Sequence, residues 1–393
     1  MKAVQCHQGE LTVVDVDPPR PGPGQLVIDV ERCGICGSDL HARVHADQLS
    51  EAAAAVGYTT IMKPDDRIVF GHEFVGRVAA YGPKTRRRWP VGTQVVALPV
   101  VSNGGAVHAV GFDTAAPGAY AEQVVLQEAF AFPVPDDVPA ERAAFTEPLA
   151  VALHAVRRGS VKRGQTAIVV GCGPIGLAVI LMLKATGVKT VVASDFSAAR
   201  RALAVQCGAD IVVDPREADP LAAVPATGPT ASFGEFISHG IAALEKARRI
   251  PGLPWAKAMQ AAVKAGAGPS GPVVFECVGV PGILDQIIAA APLMTRVVVV
   301  GVCMEPDTLR PAVAINKEID LRFVLGYDPG EFVQTLQLIA SGKVDPSPLH
   351  TGTVGLAGVA GAFDALGNPE QHAKILVDPH ADGALSATAH RVR

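Results

Sequence analysis

Ala167-Ile-Val-Val170-Gly171-Cys-Gly173-Pro174-Ile175-Gly176 is a short β-branched run that breaks into closely spaced glycines and opens an apolar stretch reaching Thr186. That order predicts a buried strand, a tight turn and a helix. Gly171 allows the turn, Gly173 lets the backbone approach a pyrophosphate, and Gly176 lets the helix pack close to the strand. The free amides of the helix amino terminus, around Pro174 and Ile175, then face the phosphates. Pro174 suits the first helical turn, where no amide donor is lost. Asp195 stands 19 residues beyond Gly176, at the end of a second predicted strand, Thr190 to Ser194. A carboxylate there accepts hydrogen bonds from an adenosine ribose, which selects NAD. A 2′-phosphate would meet a like charge at a cost on the order of 4 kcal/mol at about 4 Å and an effective dielectric of about 20. Arg200 and Arg201 are the counter-signal, because an arginine accommodates that phosphate. They fall in a stretch expected to be exposed, so NADP ranks second.

Outward from this turn, strands alternate with Ala-rich helical stretches. The pattern runs Thr190 to Ser194, Ala198 to Cys207, Ile211 to Val213, then Val273 to Glu276, Val297 to Gly301 and Leu321 to Leu325. With Ala167 to Val170 these make six strands, and βαβ alternation implies an α/β domain with a doubly wound parallel sheet of the Rossmann type. Before it, Leu26 to Val30, Ile68 to Phe70, Val75 to Ala80, Val95 to Leu98 and Ala121 to Leu126 are β-branched runs between Pro/Gly turns, the texture of a β-rich domain. The tail, with a helix at Phe332 to Ser341 and a strand at Lys374 to Val377, reads as a return to that first domain. The expected division is 1–150, 151–328 and 329–393.

Almost sixty residues separate Val213 from Val273, more than one crossover helix requires, so an insertion is expected at about 222–268. Phe233, Phe236, Ile237, Ile241 and Leu244, and then Trp255, Met259 and Val263, recur at helical spacing and predict two amphipathic helices. Extra packing or an oligomer surface is the reading favoured over a substrate lid. A second expected insertion, 42–70, carries an Ala-rich helix at Ala46 to Val56.

With 393 residues, the chain is long enough for two cores. Lys and Arg number 34 against 38 Asp and Glu, and the one basic run, Lys84 to Arg88, reads as a solvated turn, so no nucleic-acid partner is implied. Residues 164–183 are uncharged, but the glycines and Pro174 interrupt them where a spanning helix would continue, so no membrane span is expected. The amino-terminal stretch has no hydrophobic signal core, and the seven cysteines are scattered, which suits a reducing cytoplasm.

Three strings remain. Cys33-Gly-Ile-Cys36-Gly-Ser38-Asp39-Leu-His41 precedes Gly71-His72-Glu73-Phe-Val-Gly76, and Thr146-Glu147-Pro148 follows. Thiolate, imidazole and carboxylate together are zinc ligands. A catalytic zinc takes three protein ligands and keeps an open position, where it lowers the pKa of a bound water toward about 7.

Taken with the glycine turn, these strings resemble the zinc-dependent medium-chain alcohol and polyol dehydrogenases over nearly the whole chain. The family patterns C-G-x-C-G-[ST]-D-x-H, G-H-E-x-x-G-x-V, E-P-[LA] and G-x-G-x-x-G occur here in order. The resemblance implies a GroES-like catalytic domain beside the Rossmann domain. It implies Cys36 and His72 as zinc ligands, Glu73 as a direct or exchanging ligand, and Glu147 at the place of the last protein ligand. Glutamate rather than cysteine there points to the sorbitol, threonine or butanediol dehydrogenase branch. The activity implied is hydride transfer between a secondary alcohol or polyol and NAD, giving a ketone, by a homodimer or homotetramer. Ser38 and His41 would relay the proton, Asp39 would orient His72, Cys33 would be a structural thiol, and Lys374 would point toward the coenzyme phosphates or lie at the surface.

Two departures matter. Many relatives hold a second, structural zinc by four cysteines before the G-x-[FY]-A-E strand, kept here as Gly118-Ala-Tyr120-Ala-Glu122, but residues 92–123 contain no Cys, so one zinc per chain is expected. The 42–70 insertion is expected to border the open side of the metal. The rivals are a zinc-free NADPH quinone or enoyl reductase of the same superfold, and a non-catalytic NAD-binding sensor.

Overall fold

The structure, a computed structural model, describes residues 1–223, 232–262 and 271–388. The chain divides into two compact units, one of Met1–His154, Gly173–Met182 and Gly326–Arg393, the other of Ala155–Cys172 and Leu183–Leu325.

The second unit is built on a six-stranded sheet whose order along the sheet is Ile211–Val213, Thr190–Ser194, Thr166–Val170, Val273–Glu276, Arg296–Val299, Asp320–Phe323. Every neighbouring pair is parallel. Numbered along the chain this is 3-2-1-4-5-6, the Rossmann order, with its reversal between the first and fourth strands. The central strands read as unbroken apolar runs because both their faces are buried, as parallel sheets require. Ile168, Val192, Val213, Val274, Ile287 and Val297 form the core. Ser197 caps the helix Ala198–Gln206 by accepting a hydrogen bond from the Arg200 amide, so the chain leaves the second strand in a fixed direction.

The insertion contributes two helices, Phe233–Arg248 and Trp255–Ala262; Val263, expected in the second, lies outside the described residues. Neither helix has a buried residue, and Phe233, Ile237, Ile241 and Trp255 are exposed. Phe236, Leu244 and Met259 are half-buried, and the Arg248 guanidinium lies 5.4 Å from the centre of the Trp255 ring, joining the two helices.

The first unit holds an eight-stranded sheet in which Gln25–Gly34 is central, flanked by Glu73–Tyr81 and by Lys374–Val377, both antiparallel. The tail does return here. Gly34 pairs with Glu73 on one side and Leu376 on the other, so Glu73 and Lys374 share one face of the sheet across a residue with no side chain. Sequence reading missed the hairpin Lys2–His7 with Glu10–Asp15 and a second one, Val100–Asn103 with Ala106–Ala109. The Ala-rich segment forms Ala46–Ala55. The basic run is exposed, and the buried carboxylate of Glu128 accepts hydrogen bonds from the Arg86 and Arg88 amides.

Candidate metal and coenzyme sites

Cys36 is the residue before the helix Gly37–Val44, and its amide donates to the carboxylate of Asp39 at 3.0 Å, so one acid closes the helix start. Glu73 begins the strand Glu73–Tyr81, and His72 is the residue before it. Gly71 before them has φ +103°, and a Cβ there would lie 2.7 Å from the Tyr120 ring and 2.9 Å from the Cys33 sulfur, so only glycine fits. This geometry brings one donor atom from each of Cys36, His72 and Glu73 within 4.8 Å of one another. His72 and Glu73 are buried, and Cys36 is half-buried. Cys33 is wholly buried and outside the cluster, and burial pushes its thiol well up.

His72 Nε2 lies 3.4 Å from Ser38 Oγ, while Nδ1 faces Asp39 Oδ1 at 3.3 Å without the alignment of a full hydrogen bond. Burial opposes the imidazolium of His72, but Asp39 and Cys36 outweigh it and hold its pKa well above the usual histidine range. Asp39 Oδ2 accepts from the Tyr120 hydroxyl at 2.6 Å. The Phe112 ring packs 5.0 Å from that of His72. Through Phe112 the 42–70 insertion reaches the site: the Met62 amide donates to the Phe112 carbonyl, and the Tyr58 hydroxyl accepts from the Ala109 amide. His41 stands at the surface with its ring 6.4 Å from that of His45; partial burial and that second imidazole lower its pKa.

Lys374 corrects its expected placement. It is 1% exposed, and its ammonium donates to both Glu73 carboxylate oxygens at 2.6 Å and to the Ile35 carbonyl at 3.0 Å. Gly34 leaves the space that lets the pair meet, so the lysine is neither a surface residue nor free to reach toward coenzyme phosphates. Burial alone would depress its ammonium; Glu73 and Cys36 reverse this and raise it.

Glu147 opens the helix Thr146–Gly159 and is 9% exposed. It is not among the three converged donors. Burial raises its carboxyl to about 7, against the opposing charge of His72, and the Tyr327 hydroxyl donates to it. Tyr120, Phe112 and Tyr327 were not singled out from sequence. Tyr120 had a signal in Gly118-Ala-Tyr120-Ala-Glu122, whereas nothing local marks Tyr327.

At the glycine turn, Gly171 has φ +90° and a Cβ there would lie 2.7 Å from Val278, so the tight turn requires it. Gly173, Pro174 and Ile175 are half-buried and Gly176 is buried. Asp195 Oδ2 accepts from the Cys172 amide at 2.7 Å and Oδ1 from the Ser197 amide at 2.8 Å, tying the turn to the second strand. A carboxylate has about four lone-pair sites, so acceptor capacity remains. Arg200 and Arg201 are half-buried, contrary to the expected exposure. Arg201 is committed to the Asp195 and Phe196 carbonyls and to Asp214, while Arg200 Nε is buried with no partner among the described residues.

A family profile described as the alcohol dehydrogenase GroES-like domain matches residues 22–136. (R,R)-butanediol dehydrogenase of Bacillus subtilis (strain 168) is 30% identical over 97% of this chain and 100% of its own length. The chain belongs to the medium-chain alcohol and polyol dehydrogenases. Sorbitol dehydrogenase of Homo sapiens, 27% identical, matches 91% of this dehydrogenase and 90% of its own chain. A structure from Sinorhizobium meliloti 1021, described as a zinc-binding dehydrogenase bound to NADP, superposes with a TM-score of 0.73 at 26% identity, covering 96% of this dehydrogenase and 99% of that chain. Its activity is alcohol or polyol oxidoreduction on small molecules. Among the described residues no helix is long and apolar enough to cross a membrane.

Proposed function

We propose that this dehydrogenase oxidises a secondary alcohol or polyol to a ketone with NAD, using one zinc ion held by Cys36, His72 and Glu73, with Glu147 facing the same space. The observation that carries this is the convergence of sulfur, imidazole and carboxylate donors within 4.8 Å. That donor set fits zinc, and the pairing of His72 Nδ1 with a buried carboxylate is what a ligating histidine requires to present Nε2. Zinc bound there supplies Lewis acidity toward an alcohol oxygen, and the nicotinamide supplies the hydride acceptor.

The chain's own residues move the proton. Ser38 lies beside His72 Nε2 and takes the proton of the substrate hydroxyl. His41, one turn further along the same helix, stays neutral near pH 7 because its pKa is lowered, and so accepts a proton on its way to solvent. Lys374 neutralises Glu73 and keeps its carboxylate in place. The glycine turn with Gly171, Gly173, Pro174, Ile175 and Gly176 receives the coenzyme pyrophosphate, and Asp195 the ribose. Arg201 is already committed, which favours NAD, whereas the unpartnered Arg200 Nε and the NADP-bound relative are what favour NADP. The named relatives act on butanediol and sorbitol, which supports a polyhydroxy substrate. The exposed insertion helices suit a homodimer or homotetramer, and seven free cysteines suit the cytoplasm.

A screen of secondary alcohols, vicinal diols and sugar alcohols, read as NADH absorbance, tests the reading. NAD reduction with at least one of them is expected, slower with NADP. A zinc-free quinone or enoyl reductase, or a silent NAD sensor, would leave the whole panel unoxidised.

A further inference from the structure

The acid that faces His72 is itself aimed. A carboxylate turns easily about its last side-chain torsion, which is broad and roughly two-fold, so Asp39 needs fixed donors to keep one oxygen on Nδ1. The structure supplies two, both on Oδ2: the Cys36 amide at 3.0 Å and the Tyr120 hydroxyl at 2.6 Å. Oδ1 is thereby left for His72 at 3.3 Å. Asp39 and Tyr120 are both 0% exposed, so no water competes for these groups.

The phenol is held as firmly as the acid it holds. Its ring fills the space that a Gly71 side chain would take, one residue from His72, and meets the Phe363 ring edge-on at 6.1 Å and 87°. Its amide donates to the Phe70 carbonyl at 2.9 Å. The other acceptor near the hydroxyl, the Gly34 carbonyl, is further away at 3.4 Å.

We infer that Tyr120 is a positioning residue for the metal centre: its hydroxyl fixes Asp39 so that the imidazole of His72 presents Nε2 to the ion, and this raises zinc affinity. The inference rests on the zinc reading above. It predicts that Tyr120→Phe, which keeps the ring and removes one oxygen, weakens zinc binding by roughly 10- to 100-fold, the range for partners of metal-ligating histidines.

The test is competition for zinc against a chromophoric chelator at fixed pH, in the wild type, Tyr120→Phe, Asp39→Asn and the double variant. If Tyr120 acts through Asp39, the double variant binds zinc within about threefold of Asp39→Asn alone, because the coupling in such a cycle is lost with its target. The comparison of Asp39→Asn with the double variant stands even if Tyr120→Phe alone folds poorly, since the buried charge that the hydroxyl serves is then absent. Wild-type affinity in Tyr120→Phe, or a further tenfold loss in the double variant, overturns the inference and leaves the zinc reading intact. A wild type that binds no zinc overturns both.

Discussion

Glu147 carries a signature that can be read without substrate. Burial raises its carboxyl from 4.5 to about 7, so the folded metal-free chain binds that proton more tightly than the unfolded chain does. The stability this gives is complete below the unfolded value and is lost as pH rises from 4.5 to about 7. Urea unfolding of the metal-free protein should show that decline, and Glu147→Gln should flatten it; an equal slope in both proteins would remove Glu147 as its source. Cys36, His72 and Glu73, which lie close together, could be picked out because each sits in a short string that resembles a family pattern. The burial of Lys374 could not be read in this way, because it depends on Gly34 lying between two strands that are neighbours only in the folded sheet, with 301 residues separating Lys374 from Glu73. Tyr120 reaches Asp39 across 81 residues, and such contacts leave no local pattern.

The hairpin Val100–Asn103 with Ala106–Ala109 and the loop after it lie within residues 92–123, which contain no cysteine. Here a buried pair joins hairpin to loop: His108 Nδ1 lies 2.7 Å from Asp113 Oδ2, and Asp113 Oδ1 accepts from the Ala115 amide at 2.9 Å. The same loop carries Phe112 against His72. His108→Ala leaves the Asp113 carboxylate, 2% exposed, short of its partner and should cost about 1–3 kcal/mol. Denaturant titration reads this directly, and a loss under about 0.5 kcal/mol would deny the pair its structural part. All six strands of the parallel sheet and five of the eight in the other were readable from apolar runs between turn residues, and four of them, such as Thr190–Ser194, keep the bounds expected; Ala131–Pro133, His350–Val354 and Ser386–Ala387 were missed. The hairpin was not readable. Its two strands are only four residues each with no sustained alternation, and its Ala109 amide donates to Tyr58 from a distant insertion.

On the scale of the whole molecule, the two candidate sites are distributed differently over the two units. The candidate metal site, with Tyr327 and Lys374 from the returning tail, lies wholly within the first unit, whereas Gly171 and Asp195 fall in the second and Gly173 to Gly176 in the first. The parallel, doubly wound architecture of the second unit was legible from alternation, because parallel strands need crossovers and the glycine turn marks where they begin, whereas the order of the strands was not read. The insertion was legible as helices but not in its packing, since helical periodicity records an apolar face without naming what covers it.

The central claim is a single metal ion held by sulfur, nitrogen and oxygen from three points of the first unit. Metal analysis of the purified protein after exhaustive dialysis, with Cys36→Ala alongside, measures it most directly. One zinc per chain in the wild type and none in the variant is the predicted result. An empty wild type, or two tightly held zincs per chain, would contradict it.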